Sequence, residues 1–100
     1  MMKGLRDHKT AIIEHLKNNE SFRKAYLNEA LNEDEPAVVL SMLRDIVDAT
    51  RGFTKLAKET GLARQSLYKV LSEKGNPEFG SVWKIVRILR KKNQTLVPAR

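Results

Sequence analysis

Apolar residues recur at helical spacing along most of this 100-residue chain, and no stretch alternates long enough to make a central strand. Residues 7–18 predict a first helix, capped by Asp7 and carrying Ile12, Ile13 and Leu16 on one stripe. Residues 20–33 predict a second, on which Phe22, Tyr26, Leu27, Ala30 and Leu31 share a face and Asn19 or Ser21 supplies the N-cap oxygen. Asn32-Glu33-Asp34-Glu35-Pro36 reads as a stop and a restart. Pro36 suits a first turn, where its missing N–H costs nothing, and the acids before it suit the helix dipole. A third helix then runs to about Ala49, burying Val39, Leu43, Ile46 and Val47, and Gly52 ends it.

Residues 53–72 predict a short helix, a glycine turn and a second short helix. Lys74-Gly75-Asn76-Pro77 holds strong breakers and predicts a turn. A last helix covers about 81–92, with Val82, Ile85, Val86 and Leu89 on one face. Thr95, Leu96 and Val97 suit a short edge or dimer strand that Pro98 limits. The fold class expected is all-α, a compact bundle of five to six helices in one domain.

Charge separates the two halves. Residues 1–50 carry seven Lys/Arg against nine Asp/Glu, a balance of −2, and residues 51–100 carry twelve against three, a balance of +9. That asymmetry points to a polyanionic partner, usually nucleic acid, on the second half; a solvated basic face is the alternative. There is no cysteine, which excludes a disulfide scaffold, thiol catalysis and cysteine-ligated zinc. The N-terminal residues lack the apolar stretch of a secretory signal, and no apolar run approaches the ~20 residues that span a bilayer. The cytoplasm is the expected compartment, with no membrane partner.

The segment 53–72 meets the demands of two helices crossing at a tight turn. Ala57 is small where the helices touch. Gly61 takes φ > 0 without steric penalty. Leu62 pins the turn to the core, Leu56 anchors the first helix, and Leu67, Val70 and Leu71 anchor the second. Every structural position of a helix-turn-helix is filled. Arg64, Gln65, Tyr68 and Lys69 lie away from Leu67 and Leu71, at and near the start of the second helix, where a recognition helix meets base edges. Arginine pairs bidentately with guanine and glutamine with adenine. Thr54, Lys55, Ser66, Lys74 and Asn76 flank the unit as phosphate-binding candidates.

The residues from Phe53 to Pro77, above all Glu59-Thr60-Gly61-Leu62, Ser66-Leu67-Tyr68 and Gly75-Asn76-Pro77, resemble the addiction-module antidotes, HigA-like antitoxins with a lambda-repressor-like (Xre) helix-turn-helix. Tyr26-Leu27-Asn28-Glu29-Ala30-Leu31 and Leu43-Arg44-Asp45-Ile46-Val47 resemble that family too, so the likeness spans about residues 22–92. Ala63 departs from it, standing where a serine often caps the recognition helix. Residues 1–20 form a longer lead-in than usual. Nothing carries over from that family to residues 1–20, so the expected division is a helical lead-in over 1–20, a DNA-binding domain over 21–92 and a tail over 93–100. The resemblance implies a homodimer that represses its own operon by binding operator DNA and neutralises a small basic ribonuclease toxin of the RelE/HigB-like kind. Glu29, Glu33, Asp34 and Glu35 lie in a stretch without Lys or Arg from Ala25 to Leu43, and would complement a basic toxin. The same acids also serve a helix end and its dipole.

Other candidates carry less. His8 and His15 are two helical turns apart with no third ligand in view, so no metal site and no cofactor are expected. No catalytic motif is present, and an enzyme is not expected. Phe79 and Trp83 suit core or dimer packing, with base stacking as the alternative. Arg87, Arg90, Lys91 and Lys92 oppose the dipole at the last helix's end and are within reach of phosphate. The alternative functions are a phage-type repressor without a toxin partner and an RNA-binding module of the translation machinery.

Overall fold

A computed structural model describes residues 3–72, 74 and 76–93. Six helices follow one another among them: α1 (Lys3–Asn18), α2 (Glu20–Leu31), α3 (Pro36–Thr50), α4 (Gly52–Thr60), α5 (Arg64–Val70) and α6 (Phe79–Asn93). No strand occurs among the described residues. The expected strand at Thr95–Val97 lies outside them.

Local chemistry sets most boundaries. The side-chain oxygen of Asn19 accepts the Phe22 N–H at 2.9 Å and so caps α2. Arg23 closes the preceding helix by donating through Nη1 to the carbonyls of Leu16 at 2.8 Å and Lys17 at 3.3 Å, two acceptors a helix end leaves free. Pro36 opens α3. That helix ends at Thr50, and Gly52 follows just beyond the cap residue Arg51 with φ +77, the left-handed conformation that glycine adopts without strain. One boundary differs clearly from expectation: α1 begins at Lys3, so Asp7 lies inside the helix and does not cap it.

The core is shared by all the long helices. Leu16 of α1, Leu27 and Ala30 of α2, Leu40, Leu43, Ile46 and Val47 of α3, Phe53 and Leu56 of α4, Leu67 of α5, Leu71, and Ile85, Val86 and Leu89 of α6 are buried together. α3 is central, packing on α1, α2, α4 and α6. Leu40 fills a core position on α3 where Val39 was expected; Val39 is only partly buried. Leu31 was expected on the buried stripe of α2 but is 45% exposed, standing at the last residue of that helix.

A carboxylate also sits among these apolar side chains. The Asp45 carboxylate is buried, with Tyr26 Oη donating to Oδ2 at 2.7 Å and Lys9 Nζ standing 2.8 Å from Oδ1. It thereby ties α1, α2 and α3 at one point, and each carboxylate oxygen has a partner, as burial of a charge demands. Burial and the neighbouring Asp45 charge together push the Tyr26 hydroxyl well above the ordinary tyrosine range.

Candidate nucleic-acid interface

α4 and α5 are joined by the three residues Gly61, Leu62 and Ala63. Gly61 has φ 80 and ψ 7, and its N–H closes α4 by donating to the Ala57 carbonyl at 2.9 Å. Beyond Gly61 and its two chain neighbours, no atom lies within 4 Å of where a Cβ would stand, so the requirement for glycine comes from the backbone conformation and not from crowding. Thr60 fastens both sides of the turn. Its hydroxyl donates to the Leu56 carbonyl at 2.9 Å and accepts the Leu62 N–H at 3.2 Å. Ala63 precedes α5 in an extended conformation without a side-chain cap, as its residue type requires.

The inward positions behave as their spacing predicts. Leu56, Leu67 and Leu71 are buried, and Ala57, Leu62 and Val70 are partly buried against the same core. The outward set is exposed: Arg64, Gln65, Ser66 and Lys69 on α5, Thr54 and Lys55 on α4, and Lys74 and Asn76 beyond α5. Lys69, Lys74 and Asn76 line one shallow cleft of about 350 Å³ with Val70, Ser72 and Pro77, which carries the donor surface past the end of α5.

Tyr68 is less free than an outward residue. Its ring stacks on Phe53 of α4 with centroids 4.2 Å apart and planes 6° from parallel. Its side chain is 39% exposed, and its hydroxyl is 3.5 Å from Arg64 Nη2. Two guanidinium groups approach this stack. The Arg64 carbon Cζ is 5.7 Å from the Tyr68 centroid, and that of Arg44 is 5.7 Å from both the Phe53 and Tyr68 centroids. These are cation–π distances, and they hold two cations beside the start of α5.

Arg44 is the residue the sequence did not single out. It belongs to α3, outside the two-helix unit, and is exposed. It lines a cleft of about 450 Å³ whose other cations are Lys9 and Lys74, with Asp45 and Asp48 as the acids. Asp45 already holds Lys9. Partial burial, with the neighbouring Asp45 charge, raises the Asp48 carboxyl above its ordinary range, against the lowering effect of the Arg44 and Lys9 charges. Nothing local marks Arg44; only the corner between α3 and α4 brings it to Tyr68. That corner is itself held by Arg51, whose Nη1 donates to both carboxylate oxygens of Glu59 at 3.2 and 3.3 Å in a largely buried pair.

The acidic candidates lie elsewhere. Glu29, Glu33, Asp34 and Glu35 are all exposed at the end of α2 and the corner before α3. Glu33 and Asp34 edge a groove of about 410 Å³ with an apolar floor, formed with the start of α6. Phe79 and Trp83 do not join the core. Both histidines are exposed, and His15 packs its ring 4.5 Å from that of Phe22. Among the described residues no His, Cys, Asp and Glu group is arranged to hold a metal ion.

A family of proteins described as probable addiction module antidotes matches residues 7–97. The chain belongs to that family. The antidote is also 42% identical over 89 residues to an uncharacterised protein of Haemophilus influenzae, an overlap covering 89% of this chain and 88% of the relative. No solved structure matches it. Membership makes it the antitoxin of an addiction module, which implies a toxin partner of some kind. The match takes in most of α1 together with α2 through α6. No helix of the described antidote residues is long and apolar enough to cross a membrane.

Proposed function

We propose that this antitoxin binds operator DNA as a homodimer through α5, represses its own operon and neutralises a RelE/HigB-like ribonuclease toxin. The DNA-binding domain in this reading is residues 21–92, with 1–20 as a lead-in and 93–100 as a tail. The protein acts by binding alone, in the cytoplasm, without a cofactor. The observation that carries the reading is the division of α5. Leu67 is fully buried beneath it, while Arg64, Gln65 and Lys69 stand exposed after a glycine-closed turn. A helix pinned on one face and lined with long donors on the other is what a major groove admits.

The roles divide by position. Arg64 and Gln65 are the base-reading candidates at the start of α5, and Lys69 follows one turn later. Tyr68 acts mainly as the platform that sets Arg64 and Arg44. Thr54, Lys55, Ser66, Lys74 and Asn76 take phosphates, and Arg44 joins them. Of the acids Glu29, Glu33, Asp34 and Glu35, the pair Glu29 and Glu35, which stands outside the groove at the start of α6, steers a basic toxin to a surface that DNA does not need.

Selection from a randomised duplex pool tests the reading. The expected result is a two-fold symmetric site with half-sites about 34–36 Å apart, or a multiple of that distance. Failure to enrich any sequence, or equal affinity for duplex DNA and random RNA, would replace it with an RNA-binding role. A neighbouring gene for a small basic protein distinguishes the antitoxin from a phage-type repressor.

A further inference from the structure

We propose that a second copy of this chain covers the outer face of α6. The groove between the α2–α3 corner and the start of α6 is then one half of a self-complementary interface. The inference rests on the homodimer reading above and supplies its surface.

Phe79 and Trp83 are one helical turn apart on α6, 75% and 41% exposed. Their rings stack with centroids 5.9 Å apart and planes 16° from parallel, so they form one continuous apolar surface. The groove continues it, with Pro36, Ala37, Leu40, Pro77 and Val82 along its walls beside Phe79. An apolar patch of this kind with a polar rim marks a contact surface.

The chain itself carries a matching occupant. On α6 the aromatic pair is accompanied by the exposed cations Lys84 and Arg87. The opposite lip of the groove is acidic, built from Glu33 and Asp34. Among the described residues neither acid is ion-paired to α6. A two-fold contact uses the same patch on both copies, so each α6 brings its cations to the other copy's acidic lip and its aromatic pair to the other copy's aromatic pair. Both charge contacts occur twice for one apolar contact. Arg64, Gln65 and Lys69 line no part of the groove, so pairing on this face leaves the donors of α5 open.

Trp83 is the single tryptophan of the chain, which gives the experiment its reporter. Sedimentation of the 100-residue chain across a dilution series should give a dimer that dissociates, with Trp83 emission moving to longer wavelength as it does. Phe79→Ala should yield a monomer with unchanged circular dichroism, since Phe79 is mostly exposed. Glu33→Lys with Asp34→Lys should weaken dimerisation about tenfold or more, because like charges then face each other. Adding Lys84→Glu with Arg87→Glu to that chain should restore it. A wild-type monomer at every concentration would overturn the proposal. So would a dimer indifferent to Phe79→Ala and to the charge reversals, or one whose assembly leaves Trp83 emission unmoved. A monomer whose Trp83 emission responds only to toxin would give the groove to the toxin instead. None of these results depends on DNA, so a monomer that still selects a duplex sequence leaves the DNA reading intact.

Discussion

The rings of Phe53 and Tyr68 lie 4.2 Å apart and 6° from parallel, joining the first turn of α4 to the exposed side of α5. Phe53 is buried, so the stack anchors a residue of the proposed reading face to the core. Tyr68→Ala should cost about 0.5–1.5 kcal/mol beyond the lost burial, read by thermal denaturation, and should weaken DNA binding by loosening Arg64 and Arg44. Tyr68→Phe keeps the ring and should melt close to wild type. If the alanine variant melted and bound as wild type does, the platform role would be lost.

Base reading and phosphate contact separate by their response to sequence. Gln65→Ala should cost about 1–3 kcal/mol on the selected site and little on random duplex. Lys74→Ala and Arg44→Ala should weaken both about equally and lower the salt slope by about one each. Titrations at several salt concentrations check this. A Gln65→Ala loss that is the same on both duplexes removes Gln65 from the reading set.

Gly61→Val should destabilise the protein by about 1–3 kcal/mol, since valine at φ 80 is strained although no atom blocks its side chain. Gly61→Asn should cost less, because asparagine tolerates the left-handed region. Equal melting temperatures for glycine, asparagine and valine would contradict the conformational argument.

Asp45→Ala should cost about 1–3 kcal/mol, because it strips the Tyr26 hydroxyl of its acceptor. Lys9→Ala removes a side chain that is half exposed, so solvent already screens its pairing and the loss should be smaller. Chemical denaturation of both variants gives the comparison. A larger loss for Lys9→Ala would place the weight of the contact on α1.

Reversing Glu29 and Glu35, the two acids of the stretch that do not line the α6 groove, should slow association with the cognate toxin at low salt and change affinity less at high salt. Stopped-flow mixing reads the rate. An association rate that stays constant across salt concentrations in both proteins would remove these acids from steering.

The sequence by itself determined what depends on neighbours along the chain. Asn19 caps because its side chain reaches an N–H three residues on, Pro36 starts a helix because its φ is already helical, and Gly61 closes α4 because φ 80 suits glycine. Leu56, Leu67 and Leu71 were legible as core because apolar spacing marks the face a helix must bury. The tertiary structure decided how far each face is covered and what lies across from it. Periodicity treats Leu31 and Leu27 alike, yet Leu31, at the end of α2, stays exposed while Leu27 is buried. It puts Phe79 and Trp83 beside the core stripe of α6 without saying how far they are covered, and both stay exposed. Arg44 is 24 residues from Tyr68 in the sequence and meets it only because α3 and α4 turn a corner held by Arg51 and Glu59. The charge of Asp45 is buried for the same kind of reason: α1 and α2 bring Lys9 and Tyr26 to it from 36 and 19 residues away, and no local pattern encodes a meeting across that distance.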